Sequence, residues 1–165
     1  MKLEEMLARE AIRYTISRYN SAIDRSAYAE LAEVFMRHGS MAFGGHARFQ
    51  GSDAIIAALS AGAQKRGALD PKNFQRHLLG NSIINVIDDK TARSLHYIMV
   101  VTEIGLDHSG VYIDDFVKSG DRWLIAHRQG NLEWVRPDSR FYSFPGALPT
   151  PKDALDLKFL RSQGV

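Results

Sequence analysis

The sequence predicts an α+β domain. Two observations carry this. Apolar residues recur at helical spacing through the first third of the chain. From about Phe74 the pattern changes to long β-branched and aromatic runs, separated by short Asp- and Gly-containing turns. Helices first and an antiparallel meander afterwards make an α+β architecture, with helices packed on one face of the sheet.

Leu3, Leu7, Ile12, Ile16, Tyr19 and Ile23 mark the buried stripe of a first helix over residues 3–24, with Glu4, Glu5, Arg13 and Arg18 between them. Asp24 falls where that period ends, at the end of a helix whose dipole disfavours a carboxylate. Ser26-Ala27-Tyr28-Ala29-Glu30 restarts a helix, with Leu31, Val34 and Phe35 as its buried face. Arg37-His38-Gly39-Ser40 is expected to end it, glycine being the stop signal. Met41-Ala42-Phe43 and Ala47-Arg48-Phe49 flank Gly44-Gly45 as a hairpin. Ser52 and Asp53 are placed to cap a third helix from Ala54 to Arg66, anchored by Ile55, Ile56 and Leu59. Residues 67–72, with Pro71, form a loop.

Strands are predicted over residues 74–87, 91–103, 110–118 and 122–134, with turns at Asp88-Asp89-Lys90, Gly105-Leu106-Asp107 and Ser119-Gly120-Asp121. Residues 136–165 carry Pro137, Pro145, Pro149 and Pro151 around Phe141, Tyr142 and Phe144, which excludes one regular element. The expected organisation is one domain over residues 1–135. A Pro- and aromatic-rich tail over 136–165 packs on that domain or on a neighbouring subunit, and residues 153–160 are a short helix.

The chain has 165 residues, enough for a single core, and a formal net charge of +2 with dispersed basic residues. That balance argues against nucleic acid or an anionic membrane surface as partner. Absence of cysteine excludes disulfides, thiolate catalysis and cysteine metal sites. No apolar run approaches the roughly 20 residues of a membrane helix, and the acidic start at Glu4 and Glu5 does not read as a signal peptide. A cytoplasmic location is the expectation. Phosphate-cradling glycine motifs, His-x-x-x-His, His-x-Asp and His-x-Glu spacings, and a nucleophile elbow do not occur, so the expected chemistry needs no cofactor and no metal.

The residues suited to chemistry are Asp24 and His77. Imidazole exchanges protons near neutral pH, and a carboxylate beside it fixes its tautomer. Spacing alone does not join them. His96 shares a strand face with Ile98, Val100 and Thr102, and is a candidate to hold a substrate oxygen. Arg128 is a candidate to stabilise an enolate, phenolate or departing anion, its alternative being a surface or interface ion pair. Tyr19, Phe35, Phe43, Met99, Tyr112 and Trp134 are candidate cavity walls, suited to an apolar, ring-shaped ligand. His38, His46, His108 and His127 fall in or near loops and strand ends and are assigned no chemistry.

Three features in order carry a resemblance. They are the helix ending at Ile23-Asp24, the Arg76-His77-Leu78-Leu79-Gly80-Asn81 strand start, and the Gly120-Asp121-Arg122-Trp123-Leu124-Ile125 hairpin. Together they resemble the SnoaL-like branch of the nuclear transport factor 2-like superfamily, over roughly residues 5 to 135. Its relatives include polyketide cyclases, ketosteroid isomerase, scytalone dehydratase, hexachlorocyclohexane dehydrochlorinase and small subunits of ring-hydroxylating dioxygenases. The resemblance implies a cone-shaped α+β barrel, three helices against a strongly curved, mostly antiparallel sheet, with a pocket inside.

It also implies that Asp24 and His77 meet there as the dyad of the dehydrochlorinase and the dehydratase, with Asn81 nearby. Two positions depart from the pattern. Tyr19 stands where the dehydrochlorinase has a lysine, and Thr102 where the dehydratase has a second histidine. The implied activity is proton abstraction from a small cyclic or aromatic substrate, giving dehydration, elimination, isomerisation or cyclisation. His77 is then the base and Asp24 its orienter, with water or Arg128 as acid; alternatively Asp24 is itself the base, as in ketosteroid isomerase. The other implied role is a non-catalytic subunit or binding module. A homodimer or a homotrimer fits the open sheet face.

Overall fold

A computed structural model describes residues 2–43, 47–67, 70, 74–141 and 161. Three helices, α1 (Leu3–Asp24), α2 (Tyr28–Ala32) and α3 (Ser52–Lys65), combine with six strands. The strands are β1 (Phe35–Phe43), β2 (Ala47–Gln50), β3 (Gln75–Val86), β4 (Thr91–Thr102), β5 (Gly105–Ser119) and β6 (Arg122–Val135). They form one curved sheet in the order β2-β1-β6-β5-β4-β3. All neighbouring pairs are antiparallel except β1 with β6. This is the α+β architecture expected, a curved and mostly antiparallel sheet with its helices on one face.

The bounds of α1 are those the periodicity gives, but the buried stripe begins only at Ile12: Leu3 and Leu7, expected within it, are 65% and 61% exposed because the first two turns extend beyond the sheet's buried core. Ile12, Ile16, Tyr19 and Ile23 bury against Ile84, Ile98, Tyr112, Phe116 and Ile125 of the sheet. The Thr15 hydroxyl also donates to the Trp123 carbonyl at 2.6 Å, pinning α1 to β6. The helix ends in a Schellman motif. Ser26 takes the left-handed conformation at φ 55°, and the Ala27 and Ser26 N–H groups donate to the carbonyls of Ala22 and Ile23.

Four local expectations are corrected. The second helix does not reach Arg37: it stops at Ala32, and Phe35 already pairs with Ile125 of β6. A helix of only five residues has little stability of its own and gives way there to parallel pairing with β6, which buries Phe35 and Met41. Gly39 is no helix stop but a close-approach residue in an irregular stretch of β1, where a Cβ would lie 3.0–3.2 Å from three carbonyl oxygens. Ser52 and Asp53 begin α3 itself, after Gly51 at φ 87°, with no side-chain cap bond. Gly105, Leu106 and Asp107 belong to β5 rather than to a turn.

The tip of the β1–β2 hairpin, most of the 67–72 loop and the tail beyond Phe141, including the 153–160 helix, lie outside the described residues. The tail's first residues pack on their own chain: Ser139 and Phe141 are buried, and Arg140 donates to the Phe74 carbonyl and to Glu103. Among the described residues, no helix is long and apolar enough to cross a membrane.

Candidate active site

Asp24 closes α1 and reaches β3. One carboxylate oxygen accepts the His77 ring at 2.6 Å from Nδ1, and the other accepts the His77 backbone N–H at 3.0 Å. The adjacent Ile23 carbonyl accepts the Gln75 amide at 3.2 Å. These bonds offset the dipole disadvantage of a carboxylate at a helix C-terminus. Both side chains of the pair are only 9% exposed. With Nδ1–H held by Asp24, neutral His77 carries its free lone pair on Nε2, for which no described residue is a hydrogen-bond partner. That is the tautomer a general base requires.

The inner face of the sheet is ordered in cross-strand rows. His77, Val100, His108 and Val135 form one row. Leu79, Ile98, Gly110 and Leu132 form the next, then Ser82, His96, Tyr112 and Gly130, then Ser94, Asp114, Arg128 and Met41. Arg128 therefore lies three rows from the dyad.

Arg128 is fully buried, so it is neither a surface nor an interface ion pair. Its Nε and one terminal nitrogen donate to the two Asp114 oxygens, both at 2.7 Å. The guanidinium sits between the rings of Tyr19 and Tyr112, 3.9 and 4.3 Å from their centroids. Burial opposes its charge, but Asp114 outweighs burial and holds the pKa above the usual arginine value. So fixed a cation does not donate its proton, and the acid role falls away. Its other terminal nitrogen has no partner among the described residues. Burial raises the hydroxyl pKa values of Tyr19 and Tyr112, and the Asp24 carboxylate adds a smaller push in the same direction.

His96 faces inward as alternation predicts, but both ring nitrogens are engaged, with Ser94 at 2.5 Å and Ser82 at 2.7 Å. Burial lowers its pKa to about 4, the more distant Asp114 opposing and Arg128 reinforcing. It is a neutral, saturated residue beside a groove of about 370 Å³ that Arg13, Ser17 and Leu79 also line.

Among the remaining wall candidates, Tyr19, Phe35 and Tyr112 are buried core residues, and both Phe35 and Tyr112 meet Tyr19 edge-on. Phe43 is partly buried and lies over Gly130, where a Cβ would come within 2.9 Å of its ring. Three placements are corrected. Met99 and Trp134 face outward, 43% and 44% exposed, because they stand at the parity opposite to Ile98 and Val135. Asn81 is exposed at a register shift between Leu79 and Ser82, which breaks the alternation that would turn it inward.

Sequence reasoning missed two groups, Asp114 and the pair Asp107–His108. Asp114 carries no motif; a cross-strand partner for Arg128 was its only signal. Asp107 is 1% exposed and holds His108 Nδ1 at 2.7 Å. Among the described residues, no three His, Asp or Glu side chains gather into a metal-binding group.

Solved structures share the fold. A protein of unknown function from Mycobacterium tuberculosis is 24% identical, with 80% of this chain and 75% of that one covered and a TM-score of 0.66. A candidate scytalone dehydratase from Novosphingobium aromaticivorans is 17% identical, with coverages of 92% and 97% and a TM-score of 0.74. ActVI-ORFA from Streptomyces coelicolor is 18% identical, with coverages of 79% and 98% and a TM-score of 0.68. Among curated proteins no match was found. The SnoaL-like domain family matches residues 4–129, most of the chain and every strand through the greater part of β6, and this protein belongs to it.

Proposed function

We propose that the protein is a lyase- or isomerase-type enzyme that abstracts a proton from a small cyclic or aromatic substrate by means of Asp24 and His77. The observation that carries this reading is the 2.6 Å bond from His77 Nδ1 to Asp24. A binding subunit has no need of an imidazole held in the base tautomer, so the bond favours the enzyme over the scaffold. His77 Nε2 takes the proton, and Asp24 stabilises the imidazolium as it forms. The substrate is small and mostly apolar, as for the ligands that proteins of this fold commonly bind. The protein works as a homodimer or homotrimer.

The test is turnover of ring-fused hydroxy ketones by wild-type, His77→Gln and Asp24→Asn proteins. The expected result is loss of activity in His77→Gln with the thermal transition kept. Full activity in a folded His77→Gln protein, or stable co-purification with a separate catalytic chain, would overturn the reading.

A further inference from the structure

The register of β4 against β5 contains one extra residue, and that bulge anchors the start of the tail. Val100 pairs with His108 and Val101 with Leu106, so Asp107 is left unpaired between them. Asp107 buries at 1% exposure. Its carboxylate accepts His108 Nδ1 and the Ser139 hydroxyl, both at 2.7 Å, and the Thr102 hydroxyl at 3.1 Å. The Ser139 oxygen in turn accepts the Phe141 N–H at 2.9 Å. Phe141 is thereby fixed against the His108 ring, with centroids 4.6 Å apart.

Two arginines lie over Phe141. The guanidinium carbon of Arg66 is 4.6 Å from the ring centroid and that of Arg140 is 5.7 Å away. They are paired differently. Arg140 donates to Glu103 at 3.1 Å and to the Phe74 carbonyl at 3.0 Å, just ahead of the strand that carries His77. Arg66 pairs with no carboxylate among the described residues, and its Nε is buried without an acceptor. The Arg140 Nε and the Tyr28 hydroxyl are buried without a partner too. Burial lowers the pKa of Arg66, the Arg140 charge adds to this and Tyr28 opposes it, so both groups stand within electrostatic reach of Arg66.

Buried donors with no acceptor are costly, and three in one place call for a ligand. Arg66 follows α3, where the helix dipole favours a cation, but the dipole does not require a buried Nε or stacking on Phe141. Gly62, inside α3, makes the room: a Cβ there would lie 3.0 Å from a terminal nitrogen of Arg66. Glycine weakens a helix interior, and the seat of Arg66 accounts for it.

The cluster borders the dyad on three sides. Tyr28 opens α2 just after Asp24, Phe74 leads into β3, and His108 shares its cross-strand row with His77. We propose that Arg66, Arg140 and Tyr28 form a carboxylate-binding site at the rim of the Asp24–His77 dyad, and that the substrate is a cyclic or aromatic acid. That this acid is the substrate rests on the reading of His77 given above; the anion site does not. Glu103 balances Arg140, so one cation is left uncompensated, which matches a monoanion better than a phosphate dianion. The Arg66 Nε and a terminal nitrogen offer the parallel donors that a carboxylate accepts, and the Tyr28 hydroxyl offers another. No proton moves at this site. It holds the acid and turns the ring towards His77 Nε2.

The test is titration calorimetry of the full chain at neutral pH with 2-naphthoate, its neutral isostere 2-naphthamide, and 2-naphthyl phosphate. The wild-type protein should bind 2-naphthoate about tenfold or more tighter than 2-naphthamide. Arg66→Gln should remove most of that preference, and Tyr28→Phe, which deletes only the hydroxyl, should remove part of it. Equal affinity for the acid and the amide, or binding of neither, overturns the site. Tighter binding of 2-naphthyl phosphate than of 2-naphthoate overturns the assignment to a carboxylate. His77→Gln should keep the preference for the acid. Full turnover in that variant overturns the reading of His77 and leaves the anion site standing. A preference retained by a folded Arg66→Gln protein overturns the anion site and leaves His77 standing.

Discussion

Asp24 grips His77 twice, by the ring and by the backbone, so one carboxylate both orients an imidazole and ties the end of α1 to the start of β3. The two roles separate by substitution. Asp24→Asn should reduce turnover by about 10²–10⁴-fold, because the imidazole loses its tautomer and its counter-charge. Asp24→Ala should also cost about 1–3 kcal/mol in urea unfolding, because a part-buried N–H loses its acceptor. His77→Gln, which keeps the backbone N–H, should cost less.

The Arg128–Asp114 pair should behave as a buried unit. Asp114→Ala leaves a fully buried guanidinium between two tyrosine rings with no counter-charge. We expect a loss of about 3–5 kcal/mol in chemical denaturation. The double variant Asp114→Leu, Arg128→Met should recover part of that loss, because neither charge then remains buried.

His96 should make the protein acid-sensitive. Its pKa is about 4 folded, against about 6.5 unfolded, so between those values the unfolded chain binds the extra proton. Stability from this residue is complete above pH about 6.5 and falls as the pH drops towards 4, by up to about 3 kcal/mol. Urea midpoints across that range measure it. His96→Gln should flatten the profile there, and an unchanged slope would show that another group controls it.

Ser26→Gly should stabilise the fold by about 0.5–1 kcal/mol, because Ser26 occupies the left-handed position of the α1 end, where glycine has no Cβ penalty. A small rise in thermal midpoint with unchanged turnover is expected. A fall would show that the serine hydroxyl contributes more than its backbone costs.

How far the sequence could be read depended on periodicity. The apolar spacing of α1 runs from Leu3 to Ile23, so its limits at Leu3 and Asp24 were legible, although only the part from Ile12 onward is buried. The four long strands were legible from their composition. Val34 and Phe35 were not: a helical start at Tyr28 runs into them, and only pairing with Ile125, ninety residues away, decides for a strand. Within the site, alternation placed His96 correctly and, applied to the same strand, would also have turned Met99 outward. It failed for Asn81, which stands at a change of register, and it could not show that Asp107, left unpaired in β5, buries beside His108. The contact of Asp24 with His77 came from element order and resemblance, since no local rule joins residues fifty-three apart.

The bulge at Asp107 makes residue count, rather than residue type, a determinant of what faces the inner surface. Val101 pairs with Leu106 and Val100 with His108, so Asp107 is one residue more than the ladder needs, and loss of a single position there would restore plain alternation. Insertions and deletions in that stretch of β5 therefore change which side chains face inward, whatever residue types they leave in place.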